Sequence, residues 1–457
     1  MNFKSRIIIS CLLGACTLQV SAEKTYKYRI NLRDKAETAY SVGSPQAYLS
    51  ERALERRERQ GLKVDETDLP VCRTYIDAII GKGASVVTKS KWNNTVVVEV
   101  VDTTLIEQIA RLPFVTKTKK VWTSPDSIPA RNPERRKEVT NKFSKTDNYY
   151  GQAYRQIAVH RGDSLHAAGF KGEGMQIAVI DAGFYNADEM KFFKKMHLLG
   201  IRDFVNPQSD IYAENYHGMK VLSCLAANQP DVLVGTAPEA SYWLLRSEDD
   251  DTEQPVEEDY WAAALEFADS VGVDVVNTSL GYYEFDDKTC NYRYRDLDGH
   301  YSLMSHSASM AADKGLVVVC SAGNSGRGTW KKLTPPGDAE NVITVGAMDK
   351  NLVNADFSSV GNTADGRVKP DVMAVGVSSA VAGNDGTVSR ANGTSFASPT
   401  FCGLVACFWQ ACPWLTAKEV IEAVRRSADR ADAPDNIYGY GVSNIWKAYQ
   451  TELKKRK

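Results

Sequence analysis

The sequence predicts an α/β protein: a doubly wound, mostly parallel sheet with helices on both faces, preceded by a smaller α+β unit. Three observations predict it. From about residue 149 onward, near-continuous apolar runs alternate with helical stretches, which is how strands buried on both faces read. Residues 23 to about 125 instead carry alternating strand patterns and charged or amphipathic helices. Between them, residues 126–148 are charged with few large apolar side chains, so they read as a linker exposed to processing.

The elements follow in chain order. Residues 1–22 begin with Lys4 and Arg6, continue through the apolar stretch Ile7 to Leu13, and end at the small residues Val20, Ser21 and Ala22. That pattern predicts a signal peptide and an extracytoplasmic mature protein, secreted or periplasmic. The stretch Leu13-Gly14-Ala15-Cys16 offers a second processing route, lipid anchoring at Cys16. No later apolar run reaches membrane-spanning length.

In the first unit, "YKYRINL" reads as a strand, "YLSERALERRERQG" as a charged helix and "CRTYIDAIIGKG" as a helix closed by glycine. The run "ASVVTKSKWNNTVVVEV" is a hairpin about a Lys-Trp-Asn-Asn turn. A helix, "TTLIEQIARLP", and a last strand, "FVTKTKKVW", complete a ferredoxin-like order of elements.

In the second unit, residues 149–457, the strands are "MQIAVID", "SYWLLRS", "VDVVNTSLG", "GLVVVCSAG" and "NVITVGA". The helices "HGMKVLSCLAAN", "EEDYWAAALEFADSVG" and "SLMSHSASMAADKG" lie between them. The acidic stretch "EDDDTEQPVEED" reads as a solvated loop.

Composition narrows the function. Hydrophobic content of 43% and charged content of 25% are those of an ordinary globular chain, and a formal net charge of -2 argues against a nucleic-acid partner. Seven cysteines lie outside the signal region, none in a CxxC pair or a Cys/His cluster, so no metal site is expected and buried thiols are.

Four polar residues fall where parallel-sheet proteins keep chemistry, at carboxyl ends of strands and helix starts. Asp181 ends "MQIAVID", His217 opens a helix, Asn324 follows "LVVVCSAG", and Ser395 sits in "NGTSFASPTFCG" at the lip of another helix. Singly, each is an ordinary turn former or cap. Together they fill complementary roles. A serine needs a base to become a nucleophile, and histidine serves near neutral pH. A carboxylate fixes the histidine tautomer, and an amide donor can hold an oxyanion, worth about 3–4 kcal/mol. Gly393 leaves room for a substrate backbone, and Pro399 is expected near the first helical turn, where a missing N–H costs least.

These residues resemble the subtilisin-like serine proteases. "AVIDAGFYNAD" is similar to the family's aspartate motif, "YHGMKVLSCLA" to its histidine motif, "CSAGNSG" to its oxyanion asparagine motif and "NGTSFASP" to its serine motif; "FSSVG" and "VKPDVMAVG" add two matches. The resemblance implies Asp181 as orienting carboxylate, His217 as general base, Ser395 as nucleophile and Asn324 in the oxyanion hole. "NTSLG" resembles the segment that binds substrate backbone, which implies Ser279, Leu280 and Gly281 along the cleft. Two positions depart: Ala182 stands where the family has Ser or Thr, and Met219 where it has Thr.

The resemblance also implies protein or peptide substrates, and residues 23–125 as a propeptide that assists folding and acts as an intramolecular inhibitor until cut away. It implies no required cofactor; structural calcium is common in the family, but no loop here has a legible ligand pattern. Three other readings compete. A sedolisin-like peptidase would have glutamate for His217. An α/β-hydrolase would need a Gly-x-Ser-x-Gly elbow with a later histidine, which is absent. An inactive relative serving as a binding or inhibitory module is the alternative to an active, self-processing serine endopeptidase.

Overall fold

The computed structural model describes residues 23–126, 136 and 138–456. The expected signal peptide with Cys16, and linker residues 127–135 and 137, lie outside the described residues.

The N-terminal unit runs β1 (Tyr26–Leu32), α1 (Glu51–Arg59), α2 (Arg73–Ile80), β2 (Ser85–Ser90), β3 (Thr95–Val100), α3 (Thr104–Ala110) and β4 (Val115–Thr123). Its strands form one antiparallel sheet in the order β2-β3-β1-β4. Because successive side chains point to opposite faces, β3 serves two cores. Val96 and Val98 pack on Ile76 and Ile79 of α2 and Ile106 and Ile109 of α3, while Val97 joins the core of the second unit.

The second unit begins with α4 (Tyr154–Ala158) and α5 (Gly162–Ala167), followed by β5 (Gln176–Asp181) and β6 (His197–Asp203). Next come α6 (His217–Ala226), β7 (Asn228–Gln229), β8 (Leu233–Val234), β9 (Ser241–Arg246), α7 (Val256–Val271), β10 (Val275–Thr278) and α8 (Leu303–Ala311). Then follow β11 (Val317–Ser321), β12 (Val342–Met348), β13 (Val372–Val375), β14 (Ser379–Ala382), β15 (Val388–Ala391), α9 (Thr394–Ala411), α10 (Ala417–Arg426) and α11 (Ile445–Lys455). Seven strands make a parallel sheet in the order β13-β12-β11-β10-β5-β9-β6.

Each central strand feeds both faces. On β5, Ile177 and Val179 pack with α6 and α9, whereas Ala178 and Ile180 pack with α7 and α8. The chain leaves β5 toward β6 and β9 on one side, then returns to β10 and builds outward on the other. The crevice beyond the carboxyl ends of β5 and β10 is therefore the topological switch point, where ligands bind in open α/β sheets.

Two of the seven strands, β6 and β13, are not among the strands read from the sequence; β13 is short, four apolar residues. β6 is an edge strand that leaves Leu198 and Ile201 exposed, which weakens its pattern. Residues 138–148, expected as part of a free linker, are docked on the second unit. Val139 and Phe143 pack against its core, with the Phe143 ring 4.9 Å from that of Phe192. Thr140 N–H donates to Asp385 O and Thr146 N–H to Asp231 O, both at 2.8 Å. A few well-placed apolar side chains and backbone partners suffice to hold a short charged segment that has no core of its own.

The N-terminal unit covers one face of α7. Arg29 donates from Nε and Nη2 to the two carboxylate oxygens of Asp259, each at 2.6 Å. Arg56 Nη2 and Arg57 Nη2 reach Asp269 at 2.6 and 3.1 Å, and Lys91 Nζ reaches it at 3.2 Å. Burial works against the charge of Asp269, but Lys91, Arg57 and Arg56 overcome it and hold that carboxyl well below the usual range. Glu266 is 5% exposed and accepts N–H bonds from Lys91 at 2.7 Å and Trp92 at 3.0 Å, and a hydroxyl bond from Ser90.

Candidate active site

The four residues singled out in the sequence come from four different elements at the switch-point end of the sheet. Asp181 is the last residue of β5 and is fully buried; its Oδ1 accepts from Ala182 N–H at 2.8 Å and from His217 Nδ1 at 2.7 Å. His217 opens α6, its backbone N–H taken by Asn215 Oδ1 at 2.7 Å. The close approach of α6 to β5 depends on Gly218. A β-carbon there would lie 2.3 Å from Gly183 O and 2.8 Å from Asp181 Cβ, so any side chain would push the two elements apart.

With Nδ1 occupied by Asp181, Nε2 is the nitrogen left to exchange a proton, and no hydrogen bond holds it among the described residues. Burial disfavours the imidazolium, but the adjoining Asp181 carboxylate outweighs it, with Glu248 and Asp250 adding, and raises the His217 pKa to about 9. Glu248 follows β9 in the acidic stretch. Burial first, and then the charge of Asp181, push its carboxyl up to about 8.

Ser395 is the second residue of α9 and 7% exposed; Gly393, with φ of +154°, is the N-cap, so Ser395 does not serve as a cap. Its hydroxyl donates to Ser279 O at 3.4 Å, a long bond that leaves it readily redirected. The next ring, Phe396, has its centroid 6.0 Å from that of His217, which sets the start of α9 beside the imidazole.

Pro399 is the sixth residue of α9, beyond the first turn where the sequence places it. It therefore removes a ladder bond, the one to Ser395 O. Ser279 Oγ replaces the missing donor, bonding Ser395 O at 2.9 Å. Asn277 on β10 completes the clamp, accepting from Ser398 Oγ at 2.9 Å and donating to Ser279 Oγ at 3.3 Å. Neither Asn277 nor Ser398 is singled out in the sequence, where each has other small polar residues close by. A polar residue at strand position 277 was the available signal.

Asn324 lies three residues past β11. Its Oδ1 accepts from both the backbone N–H and the hydroxyl of Thr394, each at 2.9 Å. A backbone N–H can only donate, so the amide oxygen must face Thr394 and the amide NH2 faces away from it. Phe396 N–H is taken by Gly393 O at 3.1 Å, whereas Ser395 N–H has no hydrogen bond among the described residues and joins that NH2 among the donors left near the start of α9. Ser279, Leu280 and Gly281 extend from the end of β10 along the same side.

Residues 172–441 match the Subtilase family, more than half of the chain. The chain belongs to the subtilase family. Residues 27–147 of this subtilase match the peptidase S8 propeptide domain of Bacteroidota. Over 301 residues, 64% of this chain and 97% of the relative, it is 31% identical to Subtilisin DY of Bacillus licheniformis. It is 30% identical over 323 residues to Serine protease AprX of Bacillus subtilis (strain 168), covering 60% of this chain and 65% of that one. The thermophilic serine proteinase of Bacillus sp. (strain AK1) is 31% identical over 282 residues, 60% of this chain and 61% of the relative.

This subtilase is a serine-type endopeptidase with an N-terminal propeptide domain. Ala182 has a structural counterpart: among the described residues buried Asp181 Oδ2 has no hydrogen-bond partner, and its neighbour carries no hydroxyl. Met219 is fully buried in the core behind His217. The seven cysteines among the described residues are free thiols, six of them buried. Among the described residues no helix is long and apolar enough to cross a membrane. No group of three or more His, Cys, Asp or Glu side chains among them is arranged to hold a metal ion.

Proposed function

We propose that this subtilase is an extracytoplasmic zymogen that cuts its own chain and then other proteins through Asp181, His217 and Ser395. Ser395 Oγ attacks the scissile carbonyl carbon as its proton passes to His217 Nε2. Asp181 holds the other ring nitrogen and stabilises the imidazolium. The oxyanion lies between the Asn324 NH2 and the Ser395 backbone N–H. Collapse expels the amine, which takes the proton from His217, and water cleaves the Ser395 ester by the same route. The propeptide keeps the enzyme inactive until the connecting segment is cut.

The observation that carries this reading is the 2.7 Å bond between buried Asp181 and His217, set beside a serine at a helix start whose oxyanion donor is locked by Thr394. The test is the intact mass of purified, signal-free protein, wild type beside Ser395→Ala. Loss of about 100–125 N-terminal residues from the wild type alone is expected from the size of the propeptide and linker. If both stay whole and neither cuts casein, the reading of an inactive relative that binds or inhibits takes its place.

A further inference from the structure

The side chain that precedes the scissile bond has one place to go. Resting on the proposed function, the substrate backbone lies along Ser279–Gly281 with its carbonyl oxygen toward Asn324. Its side chain is then directed between two walls, residues 279–281 beyond β10 and residues 322–324 beyond β11. β10 and β11 are neighbours in the sheet, so these walls diverge from a common base. Each carries a glycine facing the gap, Gly281 and Gly323.

Thr334 occupies that gap. A β-carbon on Gly281 would lie 2.3 Å from Thr334 Oγ1, and one on Gly323 would lie 2.9 Å from the same oxygen. The hydroxyl therefore rests against both glycines at once. Thr334 is 5% exposed, and no hydrogen bond among the described residues draws its hydroxyl elsewhere.

The floor cannot retreat. Thr334 N–H donates to Ala322 O at 3.3 Å on one wall, and Tyr282 N–H donates to Pro335 O at 3.2 Å on the other. Behind Gly323 stands Ser359, whose N–H bonds Gly323 O at 2.9 Å and whose hydroxyl accepts from Ser325 N–H at 3.1 Å.

We propose that Thr334 closes the pocket for the side chain preceding the scissile bond, so that this peptidase cuts after glycine, alanine or serine and rejects large residues there. A wedge pinned from both sides can admit a methyl or hydroxymethyl group above it. An aromatic ring would have to displace backbone that is hydrogen-bonded on both walls.

Tetrapeptide anilides identical except for a last residue of alanine or phenylalanine test this. Wild-type kcat/KM should favour alanine, and Thr334→Gly should raise the phenylalanine-to-alanine ratio by roughly 10- to 100-fold. Thr334→Ala offers a milder opening if the glycine variant does not fold. Mapping wild-type cuts in an unfolded protein by mass spectrometry needs no variant, and cuts should concentrate after small residues. A wild-type preference for phenylalanine, or cuts as frequent after Phe, Tyr and Leu as after Ala and Ser, overturns the proposal. So does a folded Thr334→Gly enzyme whose ratio moves less than threefold. A protein that stays whole and cuts none of these peptides, indistinguishable from Ser395→Ala, overturns the peptidase mechanism itself and the pocket with it.

Discussion

Truncating Glu266 should loosen the propeptide while leaving the peptidase intact. The carboxylate reaches from α7 to the hairpin between β2 and β3, accepting the N–H groups of Lys91 and Trp92 and the Ser90 hydroxyl. In Glu266→Ala these donors lose their acceptor inside an interface where Trp92 is 5% exposed. Each buried donor left unpaired costs about 1–3 kcal/mol, and water entering the vacated space recovers part of it. A net loss of about 3 kcal/mol follows, roughly a hundredfold in the opening equilibrium. Glu266→Gln keeps an acceptor oxygen and should lose about 1 kcal/mol. Hydrogen exchange in the Ser395→Ala background, where the chain stays whole, reads this directly. Amides of β2 and β3 should exchange roughly a hundredfold faster, with those of β10 and β11 as the internal reference. A change under about fivefold in the hairpin, or an equal change in both sets, would refute the view that Glu266 is a main tether of the two bodies.

Four further outcomes follow from the site. With the His217 pKa raised to about 9, the neutral base appears late, so kcat/KM should rise with pH through the alkaline range. The stability sign is opposite: a histidine whose folded pKa exceeds its unfolded value of about 6.5 stabilises fully below that value and loses the contribution as pH rises through 9. The thermal midpoint should therefore fall as activity climbs. Glu248→Gln removes an acidic neighbour of the imidazole and should move the activity midpoint to lower pH; an unchanged midpoint would show that Glu248 does not act on His217. Gly218→Ala would set a β-carbon 2.3 Å from Gly183 O and prise α6 from β5. With His217 misplaced by as little as an ångström, kcat should drop by about a hundredfold or more, with near-UV circular dichroism still native; activity within threefold of wild type would contradict the close-approach argument.

The central strands were legible because burial on both faces writes itself as unbroken apolar runs, as in "QIAVID" and "VVVCS". The candidate site residues stood out as candidates because a polar residue at the end of such a run is conspicuous, as Asp181 and Asn324 are. What stayed hidden has a physical reason in each case. Glu248 sits in an acidic stretch that reads as solvated, and only the fold turns it toward Asp181 and His217. Arg56 and Arg57 look like the outer face of a charged helix, yet both are 1% exposed, because their partners on α7 lie more than 200 residues away. Thr334 belongs to no periodic pattern; its meaning comes from two glycines in other segments. Long-range pairing of this kind leaves no local trace.

The face of α7 that the propeptide covers carries Glu258, Asp259, Glu266 and Asp269, matched across the contact by Arg29, Arg56, Arg57 and Lys91. Separated, the two bodies bear opposite charge on the surfaces that once met. Their re-encounter is then governed by long-range attraction, which water at low ionic strength transmits and a saline medium screens within about 8–10 Å. A severed propeptide would be recaptured quickly in dilute surroundings and slowly in salty ones. If the connecting segment is cut as proposed, the ionic strength of the surroundings sets how long the two parts stay together.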